Sequence, residues 1–530
     1  MPRPLPVKWQ RQWQKWQTVA MDVQLGAGSL ARLLTGWRDD GGTGASAQAA
    51  LATRVSSLLT DGRLAAGTRV PSERELAAAL GIGRGTVAAA YEQLREDGYL
   101  VRRRGSGTWT ALPSATPTGS GGVVPAAFGG VTPTPASGYT PFAPMGPVSG
   151  WSPGRDVIDL AHAAPWAPME AVTEAAARAL TELPVHLAST GYDVLGLPVL
   201  REAVAARLSA QGLRTSADEV MVTAGAQHAH ALVARALVRP GDRVLMEQPT
   251  YPGAIDLARH VSARAVPVAM VEQDGVHGWD VDAIAAALRA ATPAVGYLVP
   301  DHQNPTGAVM DAETRAAVVA AAARHGVPLV VDDCLREMWI DAPGPPPLGA
   351  WSTGGATPVI TTGSLSKTVW GGLRIGWLRA PRTLLQRVAA VRASDDISTP
   401  VLEQLVAVGL LEKLDDLVAD GRRVLAHRRD HLRAALARAV PEWRAPKPSG
   451  GFSLWVDLGA PRSSALVDAA SRHGVLLAAG PRFATGGAFE QYLRLPYTLS
   501  TDALDDAVAR LARAWESLGV GAAPSLTTVV

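Results

Sequence analysis

Lys367 stands among hydroxyls, glycines and an arginine in Gly363-Ser-Leu-Ser-Lys-Thr-Val-Trp-Gly-Gly-Leu-Arg-Ile-Gly-Trp377. The apolar run before it, Val359-Ile-Thr-Thr362, reads as a buried strand. Its amine would then emerge at a strand's C-terminal end, where open α/β sheets bind ligands. Ser364, Ser366 and Arg374 add two hydroxyls and a fixed cation. A phosphate needs such a set, and a lysine that forms a Schiff base needs its cofactor held by one. The short S-x-x-K pattern by itself reads first as a surface Ser/Lys loop.

Other strand ends carry groups that suit the same chemistry. Thr223-Ala-Gly-Ala-Gln-His228 follows one apolar run and opens a helix, offering backbone N–H groups and a helix dipole to a phosphate, although a plain strand-to-helix turn looks similar. Glu247-Gln-Pro-Thr-Tyr251 brings an aromatic ring able to stack on a planar ligand, or to fill a core or rim. In Pro300-Asp-His-Gln-Asn-Pro-Thr-Gly307, Asn304 precedes a proline in a tight turn, can donate to a ring oxygen, and starts a candidate cis bond. Val330-Val-Asp-Asp333 ends an apolar strand in two carboxylates, and Asp332 calls for something positive, such as a protonated pyridine nitrogen. For Asp333, a helix N-cap or surface turn serves as well. Arg494, inside Tyr492-Leu-Arg-Leu-Pro-Tyr497, wants a carboxylate from the protein or from a ligand.

The elements that must position these groups alternate. Strands at Val220–Thr223, Val244–Met246, Val295–Val299, Leu329–Val331 and Val359–Thr362 are separated by helical stretches, one from Gln227 and one from Ala312 to His325. This alternation gives an α/β unit with a mostly parallel sheet and helices on both faces. At 530 residues the chain is too long for one core, so two or three domains are expected. A net charge of +2 confines any nucleic-acid surface to a local patch. One cysteine, Cys334, excludes an intramolecular disulfide framework and fits a reducing cytoplasm. No run of about twenty apolar residues calls for a membrane span. Trp9, Trp13 and Trp16 share one helical face in a leader without a signal-peptide apolar region; the leader reads as disordered or as an over-extended start, with Met21 as an alternative first residue.

The local basic patch lies between Ala45 and Leu112, where nine arginines face six carboxylates. Residues 47 to 61 have helical apolar spacing. Pro71-Ser-Glu-Arg-Glu75 then offers Ser72 as an N-cap with Glu75 as its capping-box partner. A short helix to Leu80, the turn Gly81-Ile-Gly83 and a third helix, Arg84 to Arg95, make a helix-turn-helix with Arg84 and Thr86 where recognition helices meet DNA. Tyr99–Val101 and Thr108–Thr110 read as strands around the basic tip Arg102-Arg-Arg-Gly-Ser-Gly107, a wing.

Through P-S-E-R-E-L-A, G-R-G-T-V, Y-E-Q-L-R-E-D-G-Y-L and R-R-G-S-G-T, this segment resembles the GntR-family winged helix-turn-helix. The resemblance implies DNA contacts from Arg74, Arg84, Thr86 and the wing at Arg104, Gly105 and Gly107; Gly83 departs from it, since many relatives have serine or threonine there. From about Asp156 to Leu518 the chain resembles the class I/II aminotransferases, pyridoxal 5'-phosphate (PLP) enzymes of fold type I with a large mostly parallel-sheet domain and a smaller C-terminal α+β domain. The likeness rests on the phosphate turn, the stacking tyrosine, N-P-T-G, the strand-end aspartate, S-x-S-K-x(6)-R and the late arginine. It implies that Lys367 forms the internal aldimine, Asp332 pairs with the pyridine nitrogen, Tyr251 stacks and Asn304 bonds the 3-oxygen. It further implies that Ala226, Gln227, Ser364, Ser366 and Arg374 hold the phosphate and Arg494 the α-carboxylate of an amino-acid ligand. Tyr192 would reach the neighbouring subunit's phosphate in a dimer. Ala226 stands where a serine is usual, and Cys334 and Leu335 stand where relatives place a tyrosine.

The joined pair resembles the MocR/GabR-type regulators. That implies a cytoplasmic homodimer that binds a double-stranded DNA operator and responds to an amine, amino acid or PLP. An active aminotransferase with a secondary DNA-binding head is the alternative. The expected organisation is a leader at 1–44, a DNA-binding head at 45–112, a Pro/Gly/Ser/Thr linker at 113–154, a PLP unit at 155–520 and a tail at 521–530.

Overall fold

The computed structural model describes residues 26–35, 37, 46–60, 64, 68–103, 107–111, 157–165, 167–273, 276–352 and 357–519. The chain divides into two compact units. The tryptophan stretch at 9–16, the expected linker and the tail lie outside the described residues, as do Arg104 and Gly105 of the wing tip.

In the first unit, Leu51, Val55 and Leu58 recur on one face of helix Ala47–Thr60 and are buried against Leu76 of helix Glu73–Leu80 and Val87, Tyr91 and Leu94 of helix Arg84–Glu96. The second helix starts on the expected capping box: Glu75 N donates to Ser72 Oγ at 3.3 Å, and Ser72 N donates back to Glu75 Oε2 at 2.9 Å. Gly81 ends it in the left-handed region at φ 64°, which a side chain would disfavour. Strands β1 (Leu100–Arg103) and β2 (Gly107–Thr110) pair antiparallel from Leu100↔Thr110 to Arg103↔Gly107 and form the wing. One expectation changes. Within the stretch read as a leader, helix Ala27–Leu33 folds, and Leu30, Leu34 and Trp37 are buried in the same core. Apolar burial on the neighbouring helices outweighs the weak local signal of a seven-residue helix.

The second unit begins with the short strand β3 (Ile158–Asp159). Strands β4 (Val220–Thr223), β5 (Arg243–Gln248), β6 (Arg264–Gln273), β7 (Val276–Trp279), β8 (Val295–Leu298), β9 (Leu329–Asp332), β10 (Val359–Ser364) and β11 (Gly376–Arg379) form one sheet in the order β4-β11-β10-β9-β8-β5-β6-β7. Strand β11 runs antiparallel to β4 and β10, and β7 to β6; the other pairings are parallel. Alternate residues point to opposite faces, so Val330 packs with helices Ala226–Leu237, Pro252–His260 and Arg382–Arg392, while Leu329 and Val331 pack with Val281–Ala291 and Ala312–His325. Helices thus cover both faces, as the alternation requires. A smaller α+β part follows, with β12 (Ser453–Asp457), β13 (Val475–Leu476), β14 (Ala478–Ala479) and β15 (Tyr492–Pro496). Its sheet runs β12-β15-β14, and β13 pairs with β3. Helices Ser463–Arg472 and Thr501–Glu516 bury Leu466, Leu504 and Leu511 in its core.

Candidate functional site

Parallel strands end together, and the chemical side chains gather at that edge. The register places Asp332 beside Thr362, Ser364 beside Gly376, and Gly376 beside Thr223, so the ends of β9, β10 and β4 share one rim. Asp332 is buried; its Oδ2 accepts from Tyr297 Oη at 2.9 Å and its Oδ1 from Cys334 N at 3.0 Å. His230 Nε2 lies 3.9 Å from Oδ2. Thr362 Oγ1 donates to Val331 O at 2.9 Å, so His230 Nε2–H must be the donor in its 2.8 Å contact with Thr362 Oγ1. Burial lowers the affinity of this imidazole for a second proton, and it stays neutral. Asp332 is therefore steadied by neutral donors, which suits a carboxylate that answers a positively charged ring nitrogen.

Lys367 follows the end of β10, as expected, and its Nζ donates to Ala163 O at 2.6 Å. Burial pushes this amine below the usual lysine range, Arg494 and Arg374 act in the same direction, and Asp332 opposes them. A lysine biased toward its neutral form is a nucleophile. Burial and the Asp332 charge push the Cys334 thiol well up, so it is uncharged at neutral pH.

The phosphate-type turn is built by glycine. Gly225, at φ 87°, caps helix Ala226–Leu237, and a Cβ there would sit 2.6 Å from Arg374 Nη2. The first N–H groups of this helix, at Ala226 and Gln227, have no intrahelical acceptor. Arg374 Nη2 donates to Ala224 O at 2.6 Å while the side chain remains exposed. Ser366 N donates to Ser364 Oγ at 3.1 Å. Ser364 is buried, and its Oγ lies 2.9 Å from Ile375 O and 2.8 Å from Ser366 Oγ, so its hydroxyl can donate to either and helps to shape the turn. Gln227 Nε2 donates to Gly253 O at 3.4 Å, linking the turn to the Tyr251 segment. The Tyr251 ring lies against Gly253, where a Cβ would come within 2.4 Å of it, and burial pushes the phenol up to about 12.

The Asn304–Pro305 bond is cis, as is Gln248–Pro249, which the sequence reading did not single out. Arg494 lies on β15 opposite Trp455; its Nη1 donates to Asn304 Oδ1 at 3.4 Å and its Nη2 to Ala161 O. With Oδ1 taken, the Asn304 amide hydrogens are left to donate toward a ligand. Tyr192 is 70% exposed, and its expected role is toward a second chain. Asp333 is neither an N-cap nor a surface residue: both carboxylate oxygens are buried without a hydrogen-bond partner among the described residues. Tyr297 and His230 were missed. A phenol in the apolar run Val295–Val299 was a signal for the first, since a buried hydroxyl seeks a partner, and His230 lies one helical turn beyond Ala226.

These residues fit a pyridoxal phosphate. The donor set offers a glycine-lined helix start for an anion, an aspartate for a ring nitrogen, an aromatic face and a deprotonation-prone lysine, each at the same strand edge. In the head, Arg74 and Arg84 are exposed and Thr86 is half-buried at the start of its helix; Arg84 Nη2 lies 3.6 Å from Glu73 Oε2. Gly107, at φ 96°, is exposed at the end of the wing next to its tip, paired with Arg103.

Comparison with known proteins agrees with both halves. Residues 155–511 match the family model of aminotransferase class I and II, and residues 47–109 that of the bacterial regulatory proteins of the gntR family. The HTH-type transcriptional regulator TauR of Rhodobacter capsulatus is 31% identical over 89% of this chain and 97% of its own. The 2-aminoadipate transaminase of Thermus thermophilus is 33% identical over 66% of this chain and 87% of its own. The crystal structure of the α-aminoadipate aminotransferase LysN of T. thermophilus, complexed with N-(5'-phosphopyridoxyl)-L-leucine, superposes with a TM-score of 0.63 at 30% identity, covering 68% of this chain and 92% of that one.

Proposed function

Because the chain belongs to the class I and II aminotransferase family and carries a gntR-family head, we propose that it is a cytoplasmic, PLP-dependent transcriptional regulator. In this reading it is a homodimer that binds an operator in double-stranded DNA and senses an amino compound or PLP itself. The observation that carries the reading is the fusion: one chain holds a capped helix-turn-helix with its wing and a strand-edge site around Lys367. TauR, named a transcriptional regulator, matches this chain across both halves. Residues 155–520 would form the sensing unit, 113–154 the connector, and 45–112, extended by Ala27–Trp37, the head.

When bound, PLP supplies an electrophilic carbon for amines and an electron sink. The chain's own residues do the rest. Lys367, whose amine burial pushes below the usual lysine range, would hold the cofactor. Asp332, fixed by Tyr297 and Cys334 N, keeps a ring nitrogen protonated. Tyr251 covers the ring, and Asn304 donates to its oxygen. The N–H groups of Ala226 and Gln227, with Ser366 and Arg374, hold the phosphate, while Ser364 keeps their turn in shape. Arg494 takes a ligand carboxylate, and Tyr192 serves the other subunit. On DNA, Arg74, Arg84, Thr86 and the wing at Arg104, Gly105 and Gly107 make the contacts.

Footprinting of the DNA upstream of the gene, with and without PLP and candidate amines, tests this reading. Protection that changes with ligand is expected; no protection at any salt concentration overturns it. A second reading, a working aminotransferase, is favoured by the 33% identity with a transaminase. Lys367→Ala should abolish both the visible absorbance of bound PLP and any amino transfer. Transfer that survives the change refutes the assignment of Lys367.

A further inference from the structure

We infer that the buried pair Glu247–Gln303 is a positioning device that sets Asn304 and Tyr251 against the cofactor; the inference rests on the PLP reading above. Glu247 is the penultimate residue of β5, four residues before Tyr251, and Gln303 immediately precedes Asn304. Both side chains are almost fully buried, at 2% and 1% exposure, far from any need of solvent.

The bonds between them have a fixed direction. Glu247 Oε1 accepts from Trp279 Nε1 at 2.7 Å and from Val299 N at 3.0 Å, and its Oε2 accepts from Gln303 Nε2 at 3.2 Å. Gln303 Nε2 also donates to Pro249 O at 2.7 Å. Its Oε1 accepts from Thr306 N at 3.0 Å and Thr306 Oγ1 at 2.8 Å. Thr306 N can only donate and Pro249 O can only accept, so the Gln303 amide has one permitted orientation. Every polar atom of the amide is then satisfied. The backbone repeats the clamp, with Gln303 N donating to Ala308 O at 2.9 Å and Gly307 N to Gln303 O at 2.6 Å. One amide thus ties the segment Pro249–Tyr251 to the turn Asn304–Thr306. Neither Glu247 nor Gln303 touches the proposed ligand position; they act through the two residues that do.

The substitution Glu247→Gln keeps the shape and turns one acceptor into a donor. The new amide group at 247 must face either Gln303 Nε2 or the Trp279 and Val299 N–H groups, and a donor then meets a donor in the interior. Adding Gln303→Glu removes the conflict. A protonated carboxyl at 303 accepts from the amide at 247 through its hydroxyl oxygen, donates to Pro249 O, and accepts from Thr306 through the other oxygen.

The experiment is titration of PLP into full-length wild type, Glu247→Gln, and the double variant Glu247→Gln/Gln303→Glu, followed by the pH titration of the bound visible band. The single variant should raise the dissociation constant about tenfold and move the band's pH midpoint, and the double variant should recover both. Wild-type affinity and midpoint in Glu247→Gln would overturn the inference. So would weak binding that the double variant does not recover, because that loss reports damage to packing rather than orientation. A wild-type chain with no Lys367-dependent PLP binding would instead overturn the functional reading.

Discussion

Cys334 stands where the resembled family places a phenol, and its own backbone N–H is committed to Asp332 Oδ1 at 3.0 Å. An uncharged thiol is a weak donor, so little at this position favours the anion of a cofactor ring oxygen. A phenol would favour it. Cys334→Tyr should therefore lower the pH midpoint of the visible band of Lys367-bound PLP, and coincident spectrophotometric titrations of the two proteins would count against this. The next carboxylate along behaves differently. Asp333 is pushed up to about 7 by burial, with Asp301 and Asp332 adding to the rise and Arg336 and Arg315 opposing it. Its unfolded value is near 3.8, so between about 4 and 7 the folded chain holds a proton that the unfolded chain has lost. The stability contributed by that proton is complete below the unfolded value and is lost as pH rises through the folded one. Glu247, pushed up to about 7 mainly by burial, acts in the same direction. Asp333→Asn should accordingly flatten the fall in melting temperature across that window, a change read by thermal unfolding at a series of pH values. An unaltered slope would place the titration elsewhere.

At the scale of elements, the recognition helix Arg84–Glu96 begins without a side-chain cap, because Gly83 occupies the N-cap with ordinary extended geometry, φ −64° and ψ 139°. A Cβ at Gly83 meets only Thr86 Oγ1 at 3.9 Å, so the site accepts a serine. Gly83→Ser should stabilise the head by a few tenths of a kcal/mol and add an uncharged hydroxyl near the phosphates. DNA affinity should rise while its salt slope stays the same, whereas Arg84→Ala should weaken binding and reduce the slope by about 1. Salt-dependent binding isotherms separate the two. This head was legible in the sequence because its signals are local: Ser72 and Glu75 are three residues apart, and Gly81 follows directly on its helix. The strand ends were legible for a similar reason, as Val330-Val-Asp turns from apolar to charged within one step. What the sequence hid depends on distant partners. Tyr297 meets Asp332 across 35 positions, His230 meets Thr362 across 132, and Gln303 meets Glu247 across 56. For Ser364 the sequence showed a phosphate-friendly neighbourhood but not that its hydroxyl also lies within reach of Ile375 O, at 2.9 Å, next to the adjacent strand. The helix Ala27–Leu33 has too few residues to announce itself and is held by the core that buries Leu30.

For the molecule as a whole, a net charge of +2 gives no general attraction to DNA, so operator binding must come from the arginine excess of the head. A ligand at Lys367 and Arg494 can alter that binding only through different affinities for the DNA-bound and free states. The coupling is then reciprocal: if an amine changes operator affinity tenfold, the operator must change amine affinity tenfold. This equality separates the two functional readings. A sensor at equilibrium obeys it, while an aminotransferase that converts the amine does not stay at equilibrium and breaks it for as long as an oxo-acid acceptor is present. The prediction is that PLP-loaded protein, titrated with amine in the presence and absence of operator and with operator in the presence and absence of amine, gives one coupling factor from both directions. Lys367→Ala should retain the affinity of the free head for DNA and reduce that factor to one. Two unequal factors that become equal when the acceptor is removed would identify turnover, and would move the weight of the reading from regulator to enzyme.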